Sequence, residues 1–562
     1  MASSSGPPPA LGTPPSQAGP AAGNLPLQPD PASLDRHNSR SHLADRRLAD
    51  QPSADEHPTE QHRAERPSAA RRLGGFARRH AAFLILLVPA VGARVAVLLA
   101  YRPALFYYGD SPAYLDQATN RLWAGDWRPS GYPMFLRVIG APDHLTRLVL
   151  VQQTASLLAG VGLYAVARRL FERHGPLTAA RRTGSWPAAV VAAPALLAPW
   201  VLDLGQFVLA DSLFGTLVLG GLVLLARPGR PSAWRFAVAG LLLGASLTVR
   251  TVGYGPLAVG AAGAVVLAGT HWRRARAAVV AAGAVLAFLL GAAVPVVAYS
   301  AWSAGQGKGF TVTAHSGFFL YGRVAPFADC ERLPGDPELR SLCDPRPVGE
   351  RGSPVTYLWP DDSPLRQGND LVPPGREELA GEFARHVLRE QPWAMVTSTA
   401  RYLAGYFSPV PYENRLTSRA DTWELPRTGT NRLGADGPHA ADGYFSVARL
   451  HDPPAELLAF YSRLGYGPMP LVGLGLLAGV LAAVVAPARR RAGPGRLFWL
   501  LGGASLATLL LSSLTSAFDY RYLGSVVGLL APAALLGAAG LGRVLRPRPT
   551  GRGESVDEGG TA

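Results

Sequence analysis

The sequence predicts an all-α, polytopic membrane protein with about ten transmembrane helices and a small extracytoplasmic subdomain, and three observations point there. Several runs of Leu, Ala, Val and Gly reach the roughly 18 to 20 residues that cross about 30 Å of hydrocarbon at 1.5 Å per residue. Arginines cluster in short segments between those runs. The remaining polar residues gather in terminal tails and two long loops, so a mean hydropathy of only +0.12 averages two unlike materials.

A net charge of +15 suggests nucleic acid at first sight. Position argues otherwise, because the basic residues flank apolar runs, where they set membrane orientation. Nucleic acid is therefore not expected as a partner. The chain holds one lysine, Lys308, against 53 arginines. With the abundance of Ala, Gly and Pro, that is a compositional hint of a GC-rich bacterial genome.

In chain order, residues 1–70 are rich in Pro, Ala, Ser, Arg and Asp and poor in aromatics. Too little apolar surface is available there to offset ordering entropy, so a disordered tail is expected. No apolar core follows within the first thirty residues, so it does not read as a signal peptide. Arg71, Arg72, Arg78 and Arg79 precede the first span, 81–101, and place the N-terminus in the cytoplasm. Further spans are expected near 148–167, 186–203, 206–226, 235–250, 253–270, 277–301, 466–487, 497–516 and 522–542. Ten spans put both termini inside, and every basic cluster then falls on the inner side: Arg168 to Arg182, Arg227 with Arg230, Arg273 to Arg276, Arg489 to Arg496, and Arg543 to Arg548. The domain plan is a tail (1–70), a membrane module (71–301) with a first external loop (102–147), a large extracytoplasmic loop (302–465), the last membrane helices (466–545) and a disordered cytoplasmic tail (546–562).

In the first loop, Tyr114, Leu115, Ala118, Leu122 and Trp123 recur at near-helical spacing. They predict an amphipathic helix over 111–126, lying on the membrane interface. The large loop carries a predicted helix over 377–402 and the only two cysteines, Cys330 and Cys343, with twelve residues between them. Outside the cytoplasm this pair is expected to be a disulfide.

Candidate chemistry centres on Tyr108-Gly-Asp-Ser-Pro-Ala-Tyr-Leu115, continued by Gly125-Asp-Trp-Arg-Pro-Ser-Gly-Tyr-Pro-Met-Phe-Leu136. Asp110 lies just past the first span, between tyrosines and Pro112, ahead of an apolar-faced helix. A carboxylate with restricted access to water suits a general base toward a hydroxyl. Asp110 or Ser111 equally suits a helix N-cap, and the residues leave both roles open. Asp211 falls near the outer end of the fourth span, where ionisable groups are costly and tend to face cavities. It suits binding of sugar hydroxyls, orienting an arginine or assisting at a phosphate, or else a structural pair with Arg94 or Arg250. Arg94, Arg250 and Arg521 all lie toward the outer side, where a guanidinium suits a lipid phosphate; snorkelling or interfacial anchoring is the alternative. Asp361-Asp362 reads as a solvated turn, and His315 and His386 lack partners at metal-ligand spacing, so no metal site is expected. No phosphate-binding glycine loop is present to bind a nucleotide.

Gly109-Asp110-Ser111-Pro112-x-Tyr114-Leu115, then Ala118, Gly125 and Pro129-x-Gly131-Tyr132-Pro133-x-Phe135-Leu136, resemble the first external loop of the GT-C superfamily of membrane glycosyltransferases. The likeness is to the bacterial protein-mannosyltransferase-like and aminoarabinose-transferase-like branch, and extends to the span count, Leu209-Ala-Asp-Ser-Leu-Phe214 and Asp519-Tyr-Arg-Tyr-Leu523. It implies a GT-C-like helical fold and an inverting hexosyl- or pentosyltransferase in a bacterial plasma membrane, serving the cell envelope. A polyprenyl-phosphate-linked sugar would be the donor, and a protein, polysaccharide or lipid hydroxyl the extracytoplasmic acceptor. Asp110 would be the catalytic base, and Tyr114, Tyr132, Asp211, Arg250, Arg521, Tyr522 and Arg94 would bind substrate. The family often carries a second acidic residue beside the first; Ser111 stands there in this chain. The resemblance implies no separate cofactor beyond membrane lipid and the lipid-linked donor, with a divalent metal left open. The competing functions are a transporter or flippase of a lipid-linked glycan and a non-catalytic protein of envelope assembly.

Overall fold

The computed structural model describes residues 69–107, 109–174, 185–269, 275–368, 370–427, 449–485 and 494–545. The expected tails and Tyr108 lie outside these residues, as do Arg181, Arg182, Arg273, Arg274, Arg489 to Arg491, Arg546 and Arg548. Nearly all regular structure is helical. In order the helices are α1 (Ala69–Arg79), α2 (Ala81–Ala100), α3 (Ser111–Thr119), α4 (Gly131–Val138), α5 (Leu145–His174), α6 (Ser185–Leu197), α7 (Pro199–Leu204), α8 (Ala210–Ala226), α9 (Ala233–Val249) and α10 (Tyr254–Gly269). There follow α11 (Ala275–Gly305), α12 (Ser316–Val324), α13 (Pro337–Ser341), α14 (Arg376–Glu390), α15 (Pro392–Gly405), α16 (Pro454–Arg463), α17 (Met469–Val485), α18 (Pro494–Thr515) and α19 (Tyr520–Leu545). The strands β1 (Tyr101–Arg102) and β2 (Arg449–Leu450) pair antiparallel, tying the end of the first span to the end of the large loop.

Each of the ten expected spans overlaps an apolar helix. Six described helices are long and apolar enough to cross a membrane. The other four, α6, α8, α9 and α17, run 13 to 17 residues, at most about 25 Å at 1.5 Å per residue. The expected span 186–203 is broken. Ala198 takes an extended conformation (ψ 131°) ahead of Pro199, as the residue before a proline prefers, and the chain restarts as α7.

The helices close through small residues. Gly240 and Gly244 of α9 face the carbonyls of Phe288 and Ala292 in α11 so closely that an added Cβ has no room. Without water to drive apolar association, such backbone approach is what holds membrane helices together. Arg94 serves the same end. Buried in α2, it donates to the carbonyls of Ala90 (3.0 Å), Gln153 (3.2 Å) and Leu196 (2.7 Å) and to Ser156 Oγ (3.2 Å), joining α2, α5 and α6.

The two long polar loops meet at one end of the bundle, where Lys308 Nζ lies 2.7 Å from Asp126. Within the large loop a second apolar core forms around Phe318, Tyr321, Leu339, Leu342, Tyr357 and Phe383. The disulfide Cys330–Cys343 closes one side of it. Beside the bridge, Arg346 and the Tyr357 hydroxyl bind the Asp344 carboxylate and hold it well below the usual carboxylate range. Described residues later in the loop behave differently, since Tyr402, Tyr406, Trp423 and Leu458 join the main core of the bundle.

Two helical expectations are corrected. The helix expected over 111–126 ends at Thr119, with Asn120 at its C-cap, and its apolar residues are buried rather than laid on the interface. Tyr114 packs edge-on against Tyr132 (5.0 Å) where headgroups were expected. The helix expected over 377–402 is two helices, because Pro392 has no N–H to continue α14 and opens α15 instead.

Candidate active site

Asp110 occupies the N-cap position of α3, yet its side chain makes no capping hydrogen bond. Ser111 does the local work, accepting from the Tyr107 N–H (2.8 Å) and donating to the Val208 carbonyl (2.9 Å). The Asp110 carboxylate points instead into a cluster of arginines, with only 3% of the residue exposed. It pairs with Arg128 from the same loop, and Arg521 Nη1 of α19 lies 2.8 Å away. Burial alone would raise this carboxyl. Arg128 and Arg521, with Arg250 behind them, overcome that and keep it below its ordinary range.

Arg521 is shared. Its Nη2 lies 2.9 Å from Asp211, at the start of α8, and Asp211 also pairs with Arg250, which ends α9. Four chain segments thus converge: the turn before α3, the first turn of α8, the end of α9 and the first turn of α19. Aromatic faces support the cations. Arg521 lies over the rings of Tyr107 (5.6 Å) and Trp423 (5.7 Å), Arg250 over Tyr522 (5.2 Å) and Arg128 over Tyr114 (5.8 Å). Guanidinium over a ring face is attractive, more so when water is scarce. Asp519 completes the rim, accepting the Arg521 backbone N–H at 3.0 Å. Burial raises its carboxyl, outweighing the pull of Arg521.

Of the residues singled out in the sequence, Asp110, Asp211, Arg250 and Arg521 share this cluster, with Tyr114 and Tyr522 as its aromatic walls. Tyr132 stands behind Tyr114 and donates to Gln152 Oε1 (3.0 Å). Arg94 lies apart, committed to the helix carbonyls described above. Arg128, Trp423 and Asp519 belong to the site and were not singled out. Arg128 and Asp519 sit inside the quoted motifs, so their signal was present; Trp423 has no local signal. A cleft of about 40 Å³ opens beside Asp211, lined by Ser156, Leu204, Ser212, Thr216 and Ser525. It holds a few waters at most.

The fold and the cluster together define a helical, membrane-type protein with a buried, arginine-rich site under its polar loops. Among solved structures the chain is similar to an Archaeoglobus fulgidus oligosaccharyltransferase in the apo form, at 13% identity and a TM-score of 0.33, over 81% of this chain and 50% of that one. It is similar to the same organism's oligosaccharyltransferase AglB in complex with an inhibitory peptide and a dolichol-phosphate, at 13% identity and a TM-score of 0.33, over 80% of this chain and 50% of that one. It is also similar to ArnT from Cupriavidus metallidurans in the apo state, at 13% identity and a TM-score of 0.30, over 83% of this chain and 78% of that one. The chain thus spans about half the length of the archaeal structures. No protein-family model and no curated protein matches it.

Proposed function

We propose that the protein is a multi-pass glycosyltransferase of a bacterial plasma membrane, with both termini in the cytoplasm. It moves a sugar from a polyprenyl-phosphate donor to an extracytoplasmic hydroxyl, and Asp110 is the general base. The observation that carries this is the charge of the buried cluster. In its ion pairs, three guanidiniums (Arg128, Arg250, Arg521) are shared between two carboxylates (Asp110, Asp211). Within these pairs the cations outnumber the anions by one, which suits an anionic phosphate. Guanidinium binds phosphate oxygens in pairs, so Arg521 and Arg250 are the donor's anchors.

Chemistry follows from competition for Arg521. With no donor bound, the arginines hold Asp110 ionised but weakly basic. A donor phosphate draws Arg521 toward itself, and Asp110 loses one counterion and gains basicity. It then takes the acceptor hydroxyl proton as that oxygen attacks the anomeric carbon, and the bond from that carbon to the lipid phosphate oxygen breaks. The departing phosphate keeps Arg521 and Arg250, which stabilise its charge.

The deciding substitution is Asp110→Asn. Sugar transfer, measured with membrane vesicles and a radiolabelled polyprenyl-phosphate sugar, is expected to fall by about 10²-fold or more. The folded protein and its binding of polyprenyl phosphate are expected to survive. Transfer at the parent rate would leave the cluster as a transport or structural site.

A further inference from the structure

Three consecutive residues beyond α3 join the large loop to the arginine cluster. Asp126 pairs with Lys308 at 2.7 Å, and its carbonyl accepts the N–H groups of Ala314 and His315, both at 3.2 Å. Trp127 inserts into the edge of the outer core, its ring 4.4 Å from that of His315, 4.5 Å from Phe318 and 5.3 Å from Trp359. Arg128 turns the other way, onto Asp110. The turn is fixed at both ends: the Gly125 N–H donates to Ser130 Oγ (3.0 Å), and the Ser130 N–H to the Tyr299 hydroxyl (2.9 Å).

A side chain with many rotamers holds one position only when its backbone is held. Here the backbone of Arg128 is gripped by the outer core through its neighbour. The Arg128 side chain remains about a quarter exposed, at 26%, against 11% for both Arg521 and Arg250. Building on Asp110 as the base, we propose that residues 126–128 form a positioning strip. Through it the outer core keeps Arg128 on Asp110, and movement of that core decides when the carboxylate opens to a hydroxyl. Trp127 is then a positioning residue, and Arg128 a counterion gate.

The groups facing Asp110 are Arg128 from its own loop, Arg521 from α19, Arg250 from the end of α9 and Tyr114 from α3, with Asp211 reaching it through Arg521. Arg128 is the one that the strip controls. Removing a close opposite charge lets a carboxyl hold its proton to higher pH, by about one to three units.

The test does not depend on knowing the substrates. Dicyclohexylcarbodiimide reacts with protonated carboxyl groups, and its attachment to Asp110 can be followed by peptide mass spectrometry in the full-length protein in lipid nanodiscs between pH 4 and 8. In the parent protein labelling is expected only toward the acid end. In Arg128→Gln its onset is expected to rise by about one unit or more. In Trp127→Ala it is expected to rise in the same direction by less, and in Trp127→Phe to match the parent. Arg128→Lys, which keeps a charge on a shorter head, should fall between Gln and the parent. An unchanged onset in Arg128→Gln overturns the gate. A parental onset in Trp127→Ala beside a shifted Arg128→Gln overturns the strip. Either failure leaves the transfer result for Asp110→Asn untouched, so the two ideas fall separately.

Discussion

Asp110 and Asp203 are both buried aspartates, and their surroundings differ. Asp110 is surrounded by guanidiniums and held ionised. Asp203, in α7, is fully buried, and neither of its oxygens accepts a hydrogen bond from the described residues. Burying a charge without a partner is costly, so Asp203→Asn, which keeps the shape and removes the charge, is expected to match or exceed the parent in thermal stability in detergent at pH 8. A clear loss would show that the carboxylate is held as an anion. Residue identity in the sequence marked Asp110 and Asp211 because each interrupts or ends an apolar run, and Asp203 carried the same mark unnoticed. What no local pattern reveals is the partner. That Arg521 belongs to both aspartates follows only from how the bundle closes.

Among the elements, the apolar helices were the most legible, since a run of twenty apolar residues has few other uses. Their ends were less so. Pro199 and Pro392 each divided what periodicity alone made continuous, and both are visible in the sequence as helix stops. The packing of α9 on α11 could not be anticipated, because glycines abound in every span and only geometry shows which face a carbonyl. Gly240→Ala and Gly244→Ala press a methyl against α11, and overpacking of this kind costs about 1 to 3 kcal/mol. Thermal unfolding in detergent should show the loss. Gly92, with nothing within 4 Å of an added Cβ, provides the control, and Gly92→Ala is expected to be neutral or slightly stabilising.

For the molecule as a whole, the distribution of charge carries the orientation. The arginine clusters that the count puts in the cytoplasm lie between apolar runs of the sequence, and the two long polar loops meet where Lys308 pairs with Asp126. Lys308 makes this testable, being the chain's single lysine, and its side chain is 43% exposed beside Asp126. A membrane-impermeant amine reagent applied to intact cells is expected to label Lys308, and to reach the N-terminal amine only after lysis. Labelling of Lys308 only after lysis would invert the orientation. The large loop was legible as a body too long for a connector. Its division was not, because the residues that join the main core, such as Tyr402 and Trp423, look no different in sequence from those that build the outer one.

The sharing of Arg521 has a bearing on how the site comes into being. Asp110 emerges with Arg128 a short way behind it, and Asp211 with Arg250, so each anion already has a counterion while the chain is still being made. Of these residues Arg521 arrives last, 310 residues after Asp211, on the first turn of α19. Two half-sites, each balanced alone, are welded by one late cation, and only that insertion brings the surplus charge. A nascent chain halted before α19 would therefore carry both half-sites, without Arg521 or Tyr522, and no cation in excess of its anions.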